Sequence, residues 1–383
     1  MTKLRRFMSI ALVGLSIASS QAMAKTERLK YAIGFGSGAA LEAAEKYVDE
    51  FNQLNKGDGY SMRLFPLSLL SLAETADGIT NGVTDVGYLL TPYHPEKYPN
   101  INLAADVTLI LNQYPEVARR AGSIYSAVMT DYIMNHCPDC LEEFSDQQQV
   151  FLGGVSSSSY VLMCLSETTT LEAIKGKKIR VGGMAWARWV EHFDASPVTM
   201  PGNEGFEALN HGVVDCAVYS AAELTGFGLH SVVKNITLQV PGGVYAGGGT
   251  AVINSDVWKK MPEKVRMTTL EVSSKSAART PFYYEQIAER DLETAEKNGI
   301  VINTPDPRLL EASQAFSEAE VERIVTSYET TYGVADGQKK LQILRDLLGK
   351  WIELVADIDD EDELISVYQN EIYKNIDISD YGL

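Results

Sequence analysis

From Leu29 onward the chain alternates short apolar runs with longer stretches in which apolar residues recur at helical spacing. The run LKYAI (Leu29–Ile33) reads as a strand, and the loop GFGSG follows it. Leu41, Ala44, Val48, Phe51 and Leu54 then share one face, which predicts an amphipathic helix. A second strand, SMRLFP, a helix through Glu74–Thr80 and a strand Val83–Leu89 complete the unit. Strand and helix in alternation predict an α/β fold layered about a largely parallel sheet.

A comparable unit runs from Leu171 to Ser220. Its strand KKIRV ends at Gly182-Gly183, where the chain turns tightly or approaches something closely. A helix Ala185–Phe193, the edge segment SPVTMP and a helix Asn203–Asn210 follow. Gly212 stops that last helix at the place where helices end in the left-handed conformation, and the strand VVDCAVY comes next. The segments Ile79–Tyr88 and Leu209–Val218 echo each other: a helix end, a capping glycine and a strand opening Val-x-Asp. Glycine and aspartate are common in any helix-to-strand connection, but the shared Gly-Val-x-Asp predicts two lobes of common architecture. Two such lobes face each other across a cleft, at the strand ends where open α/β sheets bind ligands. The division expected is residues 25–150 with 235–280 in one lobe and 151–234 with 281–383 in the other.

Beyond Met261 the pattern becomes helical. Pro262 opens a stretch that runs to Lys297, closed by Gly299 and predicted to kink at Pro281. That is far longer than the ordinary helix of about 11–12 residues, which predicts an element spanning both lobes. Ser313–Val355 and Glu363–Asn375 read as further helix. The acidic run Asp357–Glu363 resembles a calcium loop but lacks the glycine such a loop needs at its sixth position, so a solvated helix start is expected.

Composition places the chain in a compartment. Lys3, Arg5 and Arg6, the apolar Met8–Ala18 and the small-residue site Ala22-Met23-Ala24 form an export leader. The apolar run is about half of the ~20 residues a bilayer requires. Cleavage after Ala24 is expected to release a soluble periplasmic chain. Losing three positive charges takes the net charge from −18 to −21, which disfavours nucleic acid and anionic membrane as partners. Cys137, Cys140, Cys164 and Cys216 are then expected as disulfides. The spacing does not fix their pairing; Cys137–Cys140 with Cys164–Cys216 is expected, since the latter two sit on strands of one lobe. A redox pair or half a zinc site at Cys137–Cys140 is disfavoured, because no second CxxC exists and the pair lies at a helix end.

Candidate chemistry centres on Arg180, inside the strand KKIRV. Arginine keeps its charge, so within a strand it needs a carboxylate or phosphate partner. A salt bridge across strands or lobes is the structural alternative to ligand binding. The loop Gly34–Ala39 satisfies G-x-G-x-x-A, but no acidic residue ends the second strand as a dinucleotide site requires. Gly36 and Ser37 are instead expected to aim backbone N–H groups of a helix start at the cleft. The five histidines, His94, His136, His192, His211 and His230, are scattered, and no nucleophile-elbow or metalloprotease motif occurs. Neither a cofactor nor a metal is expected.

The segment Leu171–Ser220, with its lysine-glycine-strand holding Arg180, its Met200-Pro201 and its helix ending in Gly-Val-x-Asp, resembles the solute-binding subunits of tripartite ATP-independent periplasmic (TRAP) transporters. The resemblance covers residues 28–345. It implies a two-lobed, type II-like periplasmic binding protein, Arg180 as the carboxylate anchor and a membrane permease as partner. The implied function is capture of an organic acid by a monomer and delivery to that permease. A solute sensor for a membrane kinase and a periplasmic enzyme on the same scaffold are the alternatives. Departures from the family pattern bear on the solute. Many members carry a second arginine where this chain has Ser158, Ser159 or Tyr160; Tyr219 replaces an asparagine, Cys216 a glycine, and Gly202 an aromatic. With Trp186, Trp189 and Tyr219 available, and Asn203 at the helix start, a monocarboxylate with an apolar or aromatic body is implied. Helix packing is the alternative role for both tryptophans, which share a helical face.

Overall fold

The computed structural model describes residues 26–383; the expected leader Met1–Ala24 and its cleavage site lie outside them. Among the described residues twelve strands build two sheets: β1 Glu27–Ile33, β2 Tyr60–Pro66, β3 Val86–Leu90, β4 Gln149–Val150, β5 Gly154–Val155, β6 Ser159–Cys164, β7 Lys178–Val181, β8 Ser196–Thr199, β9 Cys216–Ser220, β10 Asn235–Val244, β11 Gly248–Asn254 and β12 Val301–Asn303. The first sheet runs β2-β1-β3-β11-β4, with β5 also paired to β11, and the second runs β12-β10-β6-β9-β7-β8.

Neither sheet is as parallel as the alternation predicts. β1 is parallel to β2 and β3, but β11 runs antiparallel to β3, β4 and β5. In the second sheet β7 is parallel to β8 and β9, while β6 runs antiparallel to β9 and β10. The reason is the chain path. β6 and β11 each enter their sheet from the other lobe, and so run against the strands laid down locally.

The echoed segments are one structure built twice. Gly82 and Gly212 both adopt the left-handed conformation, at φ 67° and 66°. The Val83 N–H bonds the Gly78 carbonyl at 2.9 Å and the Val213 N–H bonds the Ala208 carbonyl at 2.8 Å. The Asp85 carboxylate accepts the Lys30 N–H of β1 at 2.7 Å, and the Asp215 carboxylate accepts the Lys178 N–H of β7 at 2.8 Å. By this register Arg180 corresponds to Ala32, so the arginine belongs to one lobe only.

The long helix spans Glu263–Lys297 with Pro262 at its start, as the sequence predicts. It packs on helix Ala39–Leu54 of the first lobe and on β12 of the second. Helix Ala39–Leu54 buries Ala40, Ala44, Tyr47, Val48 and Phe51, leaving Leu54 exposed at its end. The C-terminal stretch is broken where continuous helix was expected: Pro307–Tyr332 and Gly337–Val355 are separate, with Gly333 and Asp336 at positive φ between them. The expected division differs in several places, one of them the C-terminal segment, whose Tyr373 and Tyr381 hydroxyls donate to the Leu152 and Phe151 carbonyls of the first lobe. β10, placed with the first lobe, is hydrogen-bonded into the second sheet, and helix Gly337–Val355, placed with the second, packs on Ala121–Asp131. Both disulfides, Cys137–Cys140 and Cys164–Cys216, have the expected pairing, and Cys164 faces Cys216 in register between β6 and β9.

Two connections cross between the sheets side by side, Ser156–Ser158 and Tyr245–Gly247. They are tied together: the Ser157 N–H donates to the Tyr245 carbonyl at 2.9 Å, and the Tyr245 N–H donates to Ser157 Oγ at 3.0 Å. Among the described residues no helix is long and apolar enough to cross a membrane.

Candidate ligand-binding site

The crossings and the strand ends enclose a pocket of about 30 Å³. Its walls come from both lobes. The first supplies Phe35, Tyr88 and Tyr93, and the second Tyr160, Arg180, Tyr219, Glu223 and Phe227. Tyr245 of the crossing and Tyr284 of the long helix complete it.

Arg180 is 1% exposed. Its Nη1 donates to the Val218 carbonyl at 3.2 Å and its Nη2 to the Met200 carbonyl at 2.8 Å. The guanidinium lies over the Tyr219 ring, 4.1 Å from its centroid. These contacts hold the group flat and aim it. They do not neutralise it, and its Nε is buried without a hydrogen-bond partner. The Tyr245 hydroxyl and Ser156 Oγ, both on the same pocket, are buried and unpartnered too. Buried polar groups are nearly always satisfied, so three in one pocket mark a place where something polar docks.

Glu223 is the other ionisable group on the wall besides the tyrosines, 6% exposed. Burial pushes its carboxyl up to about 8; the Tyr284 hydroxyl and the Arg180 charge pull it down, and Asp291 adds to the rise. It is therefore neutral near pH 7. The sequence pattern gives it no prominence, because it opens a four-residue helix, Glu223–Gly226, too short to show a period. A carboxylate close after a strand that faces Arg180 was the signal available.

The structure brings Arg180 and Tyr219 together and leaves the other sequence-predicted residues off the wall. Trp186 stands behind it: its ring lies tilted against Tyr160 at 4.6 Å and stacked on Tyr245 at 6.2 Å, and its Nε1 donates to the Gly242 carbonyl. Trp189 is fully buried, bonded to Ser313 Oγ at 2.8 Å, and is a packing residue. Ser159 donates to the Ala118 carbonyl and lines a separate cavity of about 510 Å³, which Tyr160 borders as well. Asn203 is exposed, and its neighbour Gly202 lines the pocket instead. Gly36 and Ser37 are exposed as well. Their loop meets the other lobe rather than a ligand: Ser37 Oγ donates to the Thr225 carbonyl at 3.1 Å, and a Cβ on Gly38 would lie 3.0 Å from Gly226 Cα. The loop's contribution to the pocket is Phe35, stacked 5.4 Å from Phe227. Across the same mouth the Tyr93 hydroxyl accepts the Gly202 N–H at 3.0 Å.

The seat of Tyr219 gives a direct test. Its hydroxyl donates to the Gly202 carbonyl at 2.7 Å, and a Cβ on Gly205 would lie 1.9 Å from that oxygen. Gly205→Ala is expected to push the ring off Arg180 and weaken solute binding by about tenfold or more, through loss of an oriented cation–π contact of ~1–2 kcal/mol. Unchanged affinity in a folded Gly205→Ala protein would show that Tyr219 does not position Arg180.

Two α/β lobes joined by paired crossings, closed on a pocket with a buried, unneutralised arginine, define a two-lobed solute-binding protein. The family model for bacterial extracellular solute-binding protein, family 7, matches residues 38–327, and the chain belongs to that family. The resemblance read from Leu171–Ser220 is thereby borne out. Solved structures share the fold at low identity. An extracytoplasmic solute receptor of Bordetella pertussis that binds pyroglutamic acid is 18% identical, with a TM-score of 0.70 over 83% of this chain and 99% of its own. A TRAP solute-binding protein of Rhodoferax ferrireducens, in complex with copurified benzoate, is 18% identical, at 0.71 over 86% and 99%. One from Bordetella bronchiseptica, with bound (R)- and (S)-mandelate, is 20% identical, at 0.70 over 85% and 99%.

Proposed function

We propose that this protein captures a small organic acid in the periplasm, holds its carboxylate on Arg180 and delivers it to a TRAP membrane permease. The observation that carries the reading is Arg180 itself. A guanidinium buried without a counter-ion is costly, and a bidentate carboxylate is the partner its planar fork fits. The solutes bound by the structural relatives, pyroglutamate, benzoate and mandelate, are carboxylic acids, which supports the assignment. Phe35, Tyr160, Tyr219 and Phe227 suit an apolar or aromatic body on that acid. Capture proceeds by closure: the solute binds the closed arrangement better than the open one, and that difference shifts the balance.

The test is a thermal-shift screen of mature protein, unfolded and refolded to strip bound solute, against monocarboxylates, dicarboxylates and uncharged sugars. A ligand at 100 times its Kd adds about 2.7 kcal/mol, a rise of several degrees at ~2–4 °C per kcal/mol. Hits among carboxylates, with the compound recovered chemically unchanged, are the expected result. Hits confined to uncharged compounds would refute the reading, and turnover of the compound would point to an enzyme.

A further inference from the structure

Glu223 does not share the job of Arg180, and nothing in the capture of a carboxylate requires it. It sits on the same wall, buried, with no cation within ion-pair distance of it among the described residues. Its seat is built. The side chain folds back over Gly226, where a Cβ would lie 2.2 Å from Glu223 Oε2, so glycine at that position lets the carboxyl reach the pocket. The groups facing it are Arg180 of β7, Tyr219 of β9, Tyr160 of β6, Tyr88 of β3, and Tyr284 and Asp291 of the long helix. Asp291 is itself engaged by the Thr225 N–H and hydroxyl, both at 2.9 Å.

We propose that Glu223 is the specificity-determining residue of this pocket: it hydrogen-bonds an uncharged hydroxyl or carbonyl group of the solute whose carboxylate Arg180 holds. The solute class is then a hydroxy- or oxo-monocarboxylic acid. The proposal rests on the carboxylate reading of Arg180 and adds to it. Charge balance supports it. Arg180 and one carboxylate sum to zero, and a neutral Glu223 keeps that sum. A dicarboxylate would leave a net negative charge in a site walled by aromatic rings, where unpaired charge is strongly disfavoured. Tyr284 is the hydrogen-bonding neighbour the Glu223 carboxyl has in the wall, and a solute hydroxyl or carbonyl gives it a second partner, which a plain alkyl or aryl acid does not offer.

The experiment is calorimetric titration of refolded, solute-free protein with two matched sets: lactate, propionate and alanine, and mandelate, phenylacetate and phenylglycine, with succinate alongside. The wild type is expected to prefer the hydroxy acid over its deoxy analogue by about tenfold or more, the worth of one well-placed hydrogen bond. Glu223→Gln, neutral and able to donate, keeps most of that preference. Glu223→Leu brings the ratio to about one while the deoxy acid still binds. Gly226→Ala, which alters no charge, reduces the preference in the same direction. As pH rises from 7 to 9, Glu223 ionises beside the solute carboxylate and wild-type affinity falls, whereas the Glu223→Gln protein is flat. Preference for the amino acid or for succinate, equal binding of hydroxy and deoxy acids, or a preference that survives Glu223→Leu would each overturn the proposal with Arg180 intact. Failure of every acid to bind the folded protein would remove the carboxylate reading and this proposal with it.

Discussion

Arg180→Ala is expected to lower solute affinity by ~2–5 kcal/mol, the usual loss when one partner of a buried charge pair is truncated, or roughly 30- to 5,000-fold. Calorimetric titration of the best ligand from the screen measures it. Arg180→Lys is expected to recover little, because one ammonium cannot meet the Val218 and Met200 carbonyls and a carboxylate in one plane. The same site yields an opposite expectation for the free protein. Holding a guanidinium buried without a counter-ion costs several kcal/mol, only partly offset by the two carbonyls and the Tyr219 ring. Arg180→Met, which fills the space without the charge, should melt no lower than wild type in the absence of solute, while losing the shift that solute produces. Unchanged affinity in Arg180→Ala sinks the anchor assignment. Normal affinity together with a collapse of stability would make Arg180 a structural residue.

The second large effect concerns the Cys164–Cys216 bridge, which closes a loop of sequence separation 52, against 3 for Cys137–Cys140. In the chain-entropy account the long loop is worth about 4 kcal/mol and the short one about 2. Replacing Cys164 and Cys216 by alanine is therefore expected to lower Tm by about 8–16 °C at ~2–4 °C per kcal/mol, and replacing Cys137 and Cys140 by about half that. The first pair also affects the site, since Tyr219 follows Cys216 on β9 by three residues. Differential scanning calorimetry of the two double variants decides the order. A larger loss from Cys137 and Cys140 would mean that local packing, not loop closure, sets the contribution.

The sequence revealed those parts of the fold whose signals are local. The long helix carries its own boundaries, Pro262 before it and Gly299 after it, and the structure places it at Glu263–Lys297. The paired Gly-Val-x-Asp turns are equally explicit, because each needs a left-handed glycine and an aspartate that reaches the next strand. Strand direction was not legible: nothing in the residues of β6 or β11 says that they enter from the opposite lobe. The pocket divides the same way. Arg180 stands out as a fixed charge in a strand. The tyrosines opposite it, Tyr88 and Tyr93, Tyr245, and Tyr284, come from three separate segments that only the tertiary fold brings together. Ser159 and Asn203 lay one residue from wall-lining positions, Tyr160 and Gly202, a distinction that only the tertiary fold makes.

The arginine present in one copy of the duplicated turn and absent from the other has a kinetic consequence. The fixed charge of the pocket, Arg180, and its one carboxyl, Glu223, both belong to the second lobe, and the first contributes Phe35, Leu72, Tyr88 and Tyr93, which carry no charge. If Arg180 is the anchor proposed above, recognition runs in sequence: an acid meets the charge of the second lobe first, and its body meets the aromatic face of the first lobe only on closure. An acid with the right head and too large a body would then occupy the protein without closing it, and block transport instead of serving as cargo.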